Sequence, residues 1–301
     1  MTTVVIRFRA MNTNIALLAP RASHVVDRAG ALVLQTFSEV EQCLSRFLPD
    51  SELTALNRSG GEPFQASSLL FEAVSLAVSA ARDTNGVFDP TVLAALEQAG
   101  YDRSFEQVGH AGRPTRPLSE KALRPDYRAV LCDPETHRIR LTAGQRIDLG
   151  GIGKGLAVDR ALAATAFLPE RCIAAGGDIA VRGNAEPDGG WTVALEDSGN
   201  EAGRSIRVRD AAVATSTTLK RRWLIAGREQ HHLIDTGAGR PAATSVRSVT
   251  VIAESCVQAD VAAKTALLLG DMGMAFLERH GLHGCIVHRD GSTASTIQWP
   301  A

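Results

Sequence analysis

Asp148-Leu149-Gly150-Gly151-Ile152-Gly153-Lys154-Gly155 is the densest glycine cluster in the chain, and how it is read decides the fold class. It lies between a strand-like segment and a helix-like one, where bare backbone amides and a helix N-terminus favour a phosphate. It fits neither standard nucleotide motif. A P-loop needs glycine where Asp148 stands and serine or threonine where Gly155 stands, while a dinucleotide fingerprint begun at Gly151 meets Leu156 where its third glycine belongs. On the glycines alone, phosphate binding and a structural tight turn both remain open. The elements around the cluster mix helix and strand without the regular βαβ rhythm of a doubly wound parallel sheet, so the class expected is α+β.

Working outward toward the N-terminus, residues 3 to 18 alternate like two short strands. Val26, Ala29, Val33, Phe37, Val40, Leu44 and Phe47 then recur at steps of three and four, one apolar stripe on a long helix. Pro49 to Leu53 reads as a turn into a short capped helix. Leu70, Val74, Ala77, Val78 and Ala81 predict another helix, with Ser67 or Ser68 as N-cap and Gly86 as a left-handed stop. Residues 103 to 120, rich in glycine and proline, read as an exposed loop. Ala129 to Cys132 and Ile139 to Leu141 are strand-like, and the chain turns helical after Asp148. On the C-terminal side, strands are expected at Trp191 to Leu195, Ser205 to Val208, Arg247 to Ala253 and Gly284 to His288, with a helix from Val257 to Leu269. Trp191 and Trp223 read as core aromatics.

At 301 residues and 45% hydrophobic content, the chain is long enough for one domain of residues 1–301 or two intimate subdomains. Its 32 basic and 33 acidic residues nearly cancel, which excludes the electrostatic footprint of a nucleic-acid binder. Cys43, Cys132, Cys172, Cys256 and Cys285 are odd in number and contain no CxxC pair, so they read as buried thiols in a reducing cytoplasm. No segment approaches the roughly 18 unbroken apolar residues of a membrane span, and the N-terminus does not read as a signal peptide. The expectation is a cytoplasmic protein with no membrane insertion.

Two further segments carry chemistry. Ala174-Ala175-Gly176-Gly177-Asp178 ends an apolar run and lets a backbone or flat ligand approach closely. His231-His232-Leu233-Ile234-Asp235 precedes Gly237, Gly239 and Pro241. His232 and Asp235 suit a proton acceptor and its orienting neighbour; two surface histidines before a glycine-rich turn is the other reading.

Taken in order, these pieces resemble one family. Met11-Asn12-Thr13 is similar to the Met-Gly-Thr that opens FAD:protein FMN transferases (ApbE-like), and SRFLPDSELTALN (45–57) to their S-x-Y-x-x-D-S-E-L-x-x-x-N helix. NGVFDPTV (85–92), DLGGIGKGLAVD (148–159), AAGGDIAVRG (174–183), ATS (214–216), HLIDTGAGRPA (232–242) and ADVAAKTALLLG (259–270) resemble its later blocks in the family's order. The resemblance implies an α+β, T-fold-related architecture of mixed sheets with packed helices. It implies an enzyme that splits FAD, its substrate, and passes FMN through a phosphoester bond to a threonine or serine hydroxyl of an acceptor protein, releasing AMP. A non-catalytic FAD binder and an FAD pyrophosphatase are the alternatives.

Carried over position by position, the resemblance implies FAD contacts from Met11, Phe47, Val87, Phe88, Asp89, Asp148, Lys154, Gly176, Gly177 and Ser216. His232, with Asp235 and Lys154, would form the catalytic group. The resemblance implies Mg2+ on Asp260 and a carbonyl near Gly151, but Lys264 stands where the family's second metal side chain, a threonine, belongs. Thr265 is one residue on, about 100° round a helix, and is a poor substitute. Phe47 replaces a tyrosine, keeping a ring to stack without a hydroxyl. Lys264 leaves two readings: its ammonium stands in for the ion, or transfer activity has been lost.

Overall fold

The computed structural model describes residues 3–20, 24–108, 124–185, 189–195, 204–225 and 227–300. Alternating residues build the first hairpin, Val4–Ala10 and Thr13–Ala19, burying Ile15, Leu17 and Ala19 on one face. Its turn residues Met11 and Asn12 both have positive φ, 51° and 56°, the mirror-image geometry that suits the twist of a two-residue hairpin.

The chain divides into two units. The first comprises Met1–Glu41, Gly153–Thr217 and Ser245–Ala301; the second comprises Gln42–Ile152 and Thr218–Thr244. An 8-stranded sheet runs through the first, in the order Val4–Ala10, Thr13–Ala19, Arg171–Ala175, Asp178–Arg182, Ala212–Thr217, Val246–Ala253, His283–His288 and Thr293–Ser295. The α+β class stands, and within it the recorded strand pairings are antiparallel throughout rather than mixed. Two helices matter most for the chemistry, Gly153–Ala164 and Cys256–Leu269. The second is buried nearly all round, at Cys256, Ala259, Asp260, Val261, Ala262, Ala263, Thr265, Ala266 and Leu267. Such a helix carries an acidic residue in its second turn only if that charge is compensated.

The second unit holds the helix Ser68–Asp83, capped by Ser67, whose Oγ accepts from the Leu70 amide at 3.2 Å. Gly86, at φ 78°, returns its amide to the Ala81 carbonyl at 2.7 Å and so stops the chain as expected. The short helix Glu52–Asn57 is capped by Ser51. The long stripe ends sooner than its spacing suggests: that helix runs His24–Leu44, leaving Phe47 in the following turn. The strand expected at Ala129 to Cys132 starts later: Tyr127–Ala129 is a 3-10 turn and the strand is Leu131–Asp133. Within the expected 103–120 loop, Phe105–Val108 is a short helix, and the rest, from 109 onward, lies outside the described residues. Trp191 packs into the first unit's core and Trp223 into the second's, as read from the sequence. Among the described residues no helix is long and apolar enough to cross a membrane.

Candidate active site

In the first unit the glycine cluster delivers Lys154 into the first turn of the Gly153–Ala164 helix, where its ammonium pairs with Asp178. The Asp178 side chain is 2% exposed and opens the strand after the Gly176-Gly177 turn. Gly176 has φ 65°, and a Cβ there would meet the Thr13 hydroxyl at 2.7 Å; one on Gly177 would meet the Thr215 carbonyl at 3.3 Å. The turn is therefore wedged between the Thr13–Ala19 and Ala212–Thr217 strands, and glycine is what allows it. Ser216 is buried in the latter strand, and Met11 is half-buried at the hairpin turn.

Asp159, on the same helix as Lys154, reaches across to the start of Cys256–Leu269. Its Oδ1 accepts from the Cys256 amide at 2.8 Å and its Oδ2 from the Val257 amide at 3.0 Å. Ser255 adds a third cap, accepting from the Gln258 amide at 3.2 Å. A Cβ on Gly155 would lie 3.0 Å from the Cys256 backbone, so the two helices touch through bare backbone. Burial raises the Asp159 carboxyl above the usual range, and the two amides and Arg182 temper the rise. One turn along the capped helix, Asp260 forms an ion pair with Lys264 through Oδ1, their side chains 2% and 12% exposed. Its Oδ2 is buried without a hydrogen-bond partner. Burial pushes the Cys256 thiol well up, with Asp159 and Asp260 adding to the rise and Lys154 and Lys264 opposing it.

Magnesium demands a near-octahedral shell of oxygen atoms. An ammonium on Asp260 is cationic and offers no lone pair, and Thr265 donates its hydroxyl to the Val261 carbonyl at 2.8 Å. Among the described residues no group of three His, Cys, Asp or Glu side chains is placed to hold a metal ion. Oδ2 of Asp260 alone suits ligation, so the residues on this helix do not fit the ion.

In the second unit Asp148 accepts from the Gly150 amide at 2.9 Å and pairs with Arg46 Nε at 2.6 Å. The Arg46 guanidinium lies 4.2 Å from the Phe47 ring centroid and 4.7 Å from that of Tyr101, and donates to the Tyr101 carbonyl at 2.7 Å. Tyr101 in turn stacks at 5.4 Å on Trp223, whose indole N–H donates to the Ala99 carbonyl at 2.7 Å. Burial raises the Tyr101 phenol. Asp89 accepts from the Thr91 amide (2.8 Å), the Thr91 hydroxyl (2.6 Å) and the Tyr127 amide (3.1 Å), which holds the chain beside Val87 and Phe88. Its carboxyl is nonetheless raised, because burial outweighs those bonds.

His232 is half-buried and follows His231, which is buried. His231 is an anchor rather than a surface residue: Nδ1 accepts from the Leu233 amide at 3.3 Å, which leaves Nε2 as the donor to the Ala242 carbonyl at 3.0 Å. Asp235 caps its own turn, with Oδ1 accepting from Gly237 (2.9 Å) and Ala238 (3.1 Å). Gly151 lies at the last turn before the chain enters the first unit. Sequence reasoning assigned no role to Arg46, Asp159 or Asp178. All three stand inside quoted motifs, Arg46 at an unspecified position of SRFLPDSELTALN beside Phe47.

The ApbE family model matches residues 2–286. A protein of Treponema pallidum named FAD:protein FMN transferase is 30% identical over 260 residues, covering 79% of this chain and 70% of its own length. One of the same name from Salmonella typhimurium is 26% identical, covering 85% and 76%. The crystal structure of the ApbE protein of Thermotoga maritima superposes with a TM-score of 0.87 at 26% identity, over 98% of this chain and 97% of that one. The fold is shared as well with the flavin transferase ApbE of Vibrio cholerae, at a TM-score of 0.84, 22% identity and coverage of 99% and 98%. Matched by the family model over nearly its whole length, this protein belongs to the ApbE family.

Proposed function

We propose that this protein is a flavin transferase that acts on FAD, attaching FMN to a threonine or serine hydroxyl of a cytoplasmic acceptor protein and releasing AMP. In the reaction the acceptor oxygen attacks the phosphorus bonded to the riboflavin moiety, a new P–O bond forms, and the pyrophosphate P–O bond breaks to release AMP. The hydroxyl proton passes to His232. The chain must bring positive charge to the pyrophosphate, hold the two reacting oxygens in line and take up that proton. Lys154 sits beside bare glycine amides at a helix start, a setting suited to phosphate oxygens. Asp178 holds its ammonium in place. Phe47, Val87, Phe88 and Met11 serve the flavin and adenine rings, Asp148 pairs with Arg46 beside Phe47, and Asp89 holds the turn that follows Phe88. Within the first unit Gly176, Gly177 and Ser216 are tightly packed. Asp235 orders the turn after His232. No step is assigned to magnesium.

The observation that carries this reading is the pairing of Lys154 with Asp178 at the start of the glycine-cluster helix, in a chain 30% identical to a named FAD:protein FMN transferase. The test is to incubate the protein with FAD, with and without candidate acceptors, following AMP and FMN by chromatography and covalent flavin by in-gel fluorescence. AMP release coupled to a fluorescent acceptor band is expected, falling about a hundredfold or more in His232→Ala. Intact FAD with every acceptor would point to a binder, and AMP with free FMN to a pyrophosphatase; either result overturns transfer.

A further inference from the structure

We propose that the Lys264 ammonium is a built-in cation occupying the place of a divalent ion at Asp260, so that this protein's pyrophosphate chemistry does not depend on a divalent metal at that carboxylate. The inference rests on the flavin-transferase reading for its catalytic half only. Residues four apart on a helix share a face, and here the shared face is interior: Asp260 is 2% exposed and Lys264 12%. Burying an ammonium is costly unless a specific partner holds it, and Asp260 is that partner. A divalent ion sharing this carboxylate would sit beside a positive charge, which on an effective dielectric of about 20 weakens its binding by roughly a thousandfold or more. Thr265 cannot restore an oxygen ligand, because it is fully buried with its hydroxyl on the Val261 carbonyl. Oδ2 of Asp260 is buried without a hydrogen-bond partner, so the ammonium holds this carboxylate through Oδ1. Lys154 and Lys264 both bear on the buried Cys256, so the two fixed cations belong to one neighbourhood, framed by the ends of two helices that touch through Gly155.

The experiment separates metal binding from catalysis. Protein stripped with EDTA is titrated with Mn2+ and followed by electron paramagnetic resonance without FAD, for wild type, Lys264→Thr and Lys264→Met. Circular dichroism checks that each variant is folded. Lys264→Thr, which removes the charge and supplies an oxygen, should bind Mn2+ at least a hundredfold more tightly than wild type, and Lys264→Met should fall between. With candidate acceptors present, wild-type FAD cleavage should survive EDTA, whereas that of Lys264→Thr should require Mg2+. Equal Mn2+ affinities in wild type and Lys264→Thr, tight or undetectable, would overturn the proposal, and so would wild-type cleavage that EDTA abolishes and Mg2+ restores. If no form cleaves FAD, the flavin-transferase reading fails, yet the Mn2+ titration still decides whether the ammonium occupies a cation site.

Discussion

Arg46 joins three interactions in one side chain: the ion pair to Asp148, the stack on Phe47 and Tyr101, and the bond to the Tyr101 carbonyl. Both partners of the ion pair are largely buried, with side chains 6% and 13% exposed, so removing one leaves the other's charge uncompensated. Arg46→Ala is expected to cost about 3–5 kcal/mol in urea unfolding. Arg46→Lys should recover little of this, because an ammonium can neither stack flat nor hold the fork. The histidines make the opposite contrast. His231→Ala should lower stability by about 1–3 kcal/mol, since it leaves the Leu233 amide and the Ala242 carbonyl unpaired. His232→Ala should reduce turnover with little change in the unfolding midpoint. Measuring both quantities for both variants checks the assignment, and the reverse pattern would refute it. Phe47 was legible as an aromatic because a motif flanks it. The role of Arg46 was not, since it depends on Tyr101 and Asp148, both far away in sequence.

At the scale of elements, the Cys256–Leu269 helix was legible almost to its ends, because Ser255 and Gln258 form a local cap. What fixes its start more firmly is Asp159, a cap from another helix that no local pattern announces. Asp159→Ala should cost about 2–4 kcal/mol by orphaning two amides. Gly155→Ala should cost about 1–3 kcal/mol, because the methyl would press on the Cys256 backbone. Both can be read from denaturant midpoints. The His24–Leu44 helix shows the converse limit: apolar spacing ran on to Phe47 after the backbone had already turned. Asp89 and Asp159 also set a pH response. Their folded pKa values are raised, so each favours folding below the usual aspartate range, and that contribution is lost as pH rises through the folded value. Wild-type stability should therefore carry a downward component just above about pH 4, and Asp89→Asn with Asp159→Asn should remove it. Urea midpoints taken between about pH 4 and about pH 7 test the sign; a steeper fall in the double variant would contradict it.

For the whole molecule, class and family were readable because the motif blocks are local and keep their order. The division into units was not, since both are discontinuous and the chain passes between them inside the glycine motif, after Ile152. None of the five cysteines forms a disulfide; burial raises the pKa of Cys172 to about 12 and raises those of Cys256 and Cys285 as well. A thiol reagent at neutral pH should therefore label those three only on unfolding, and reductant should leave the melting temperature unchanged. Rapid labelling of all three in the native state would contradict this. The big sheet has a consequence for biosynthesis. Ile15 must wait for Ala175 to pair, and the Ala212–Thr217 strand for Val246–Ala253. Until the last fifth of the chain has left the ribosome, an unpaired edge of apolar strand stays open to neighbours, and such long-range pairing is slow. Synthesis should therefore lean on chaperones that shield nascent chains, and depleting them should move newly made protein into the pellet while leaving molecules already folded untouched.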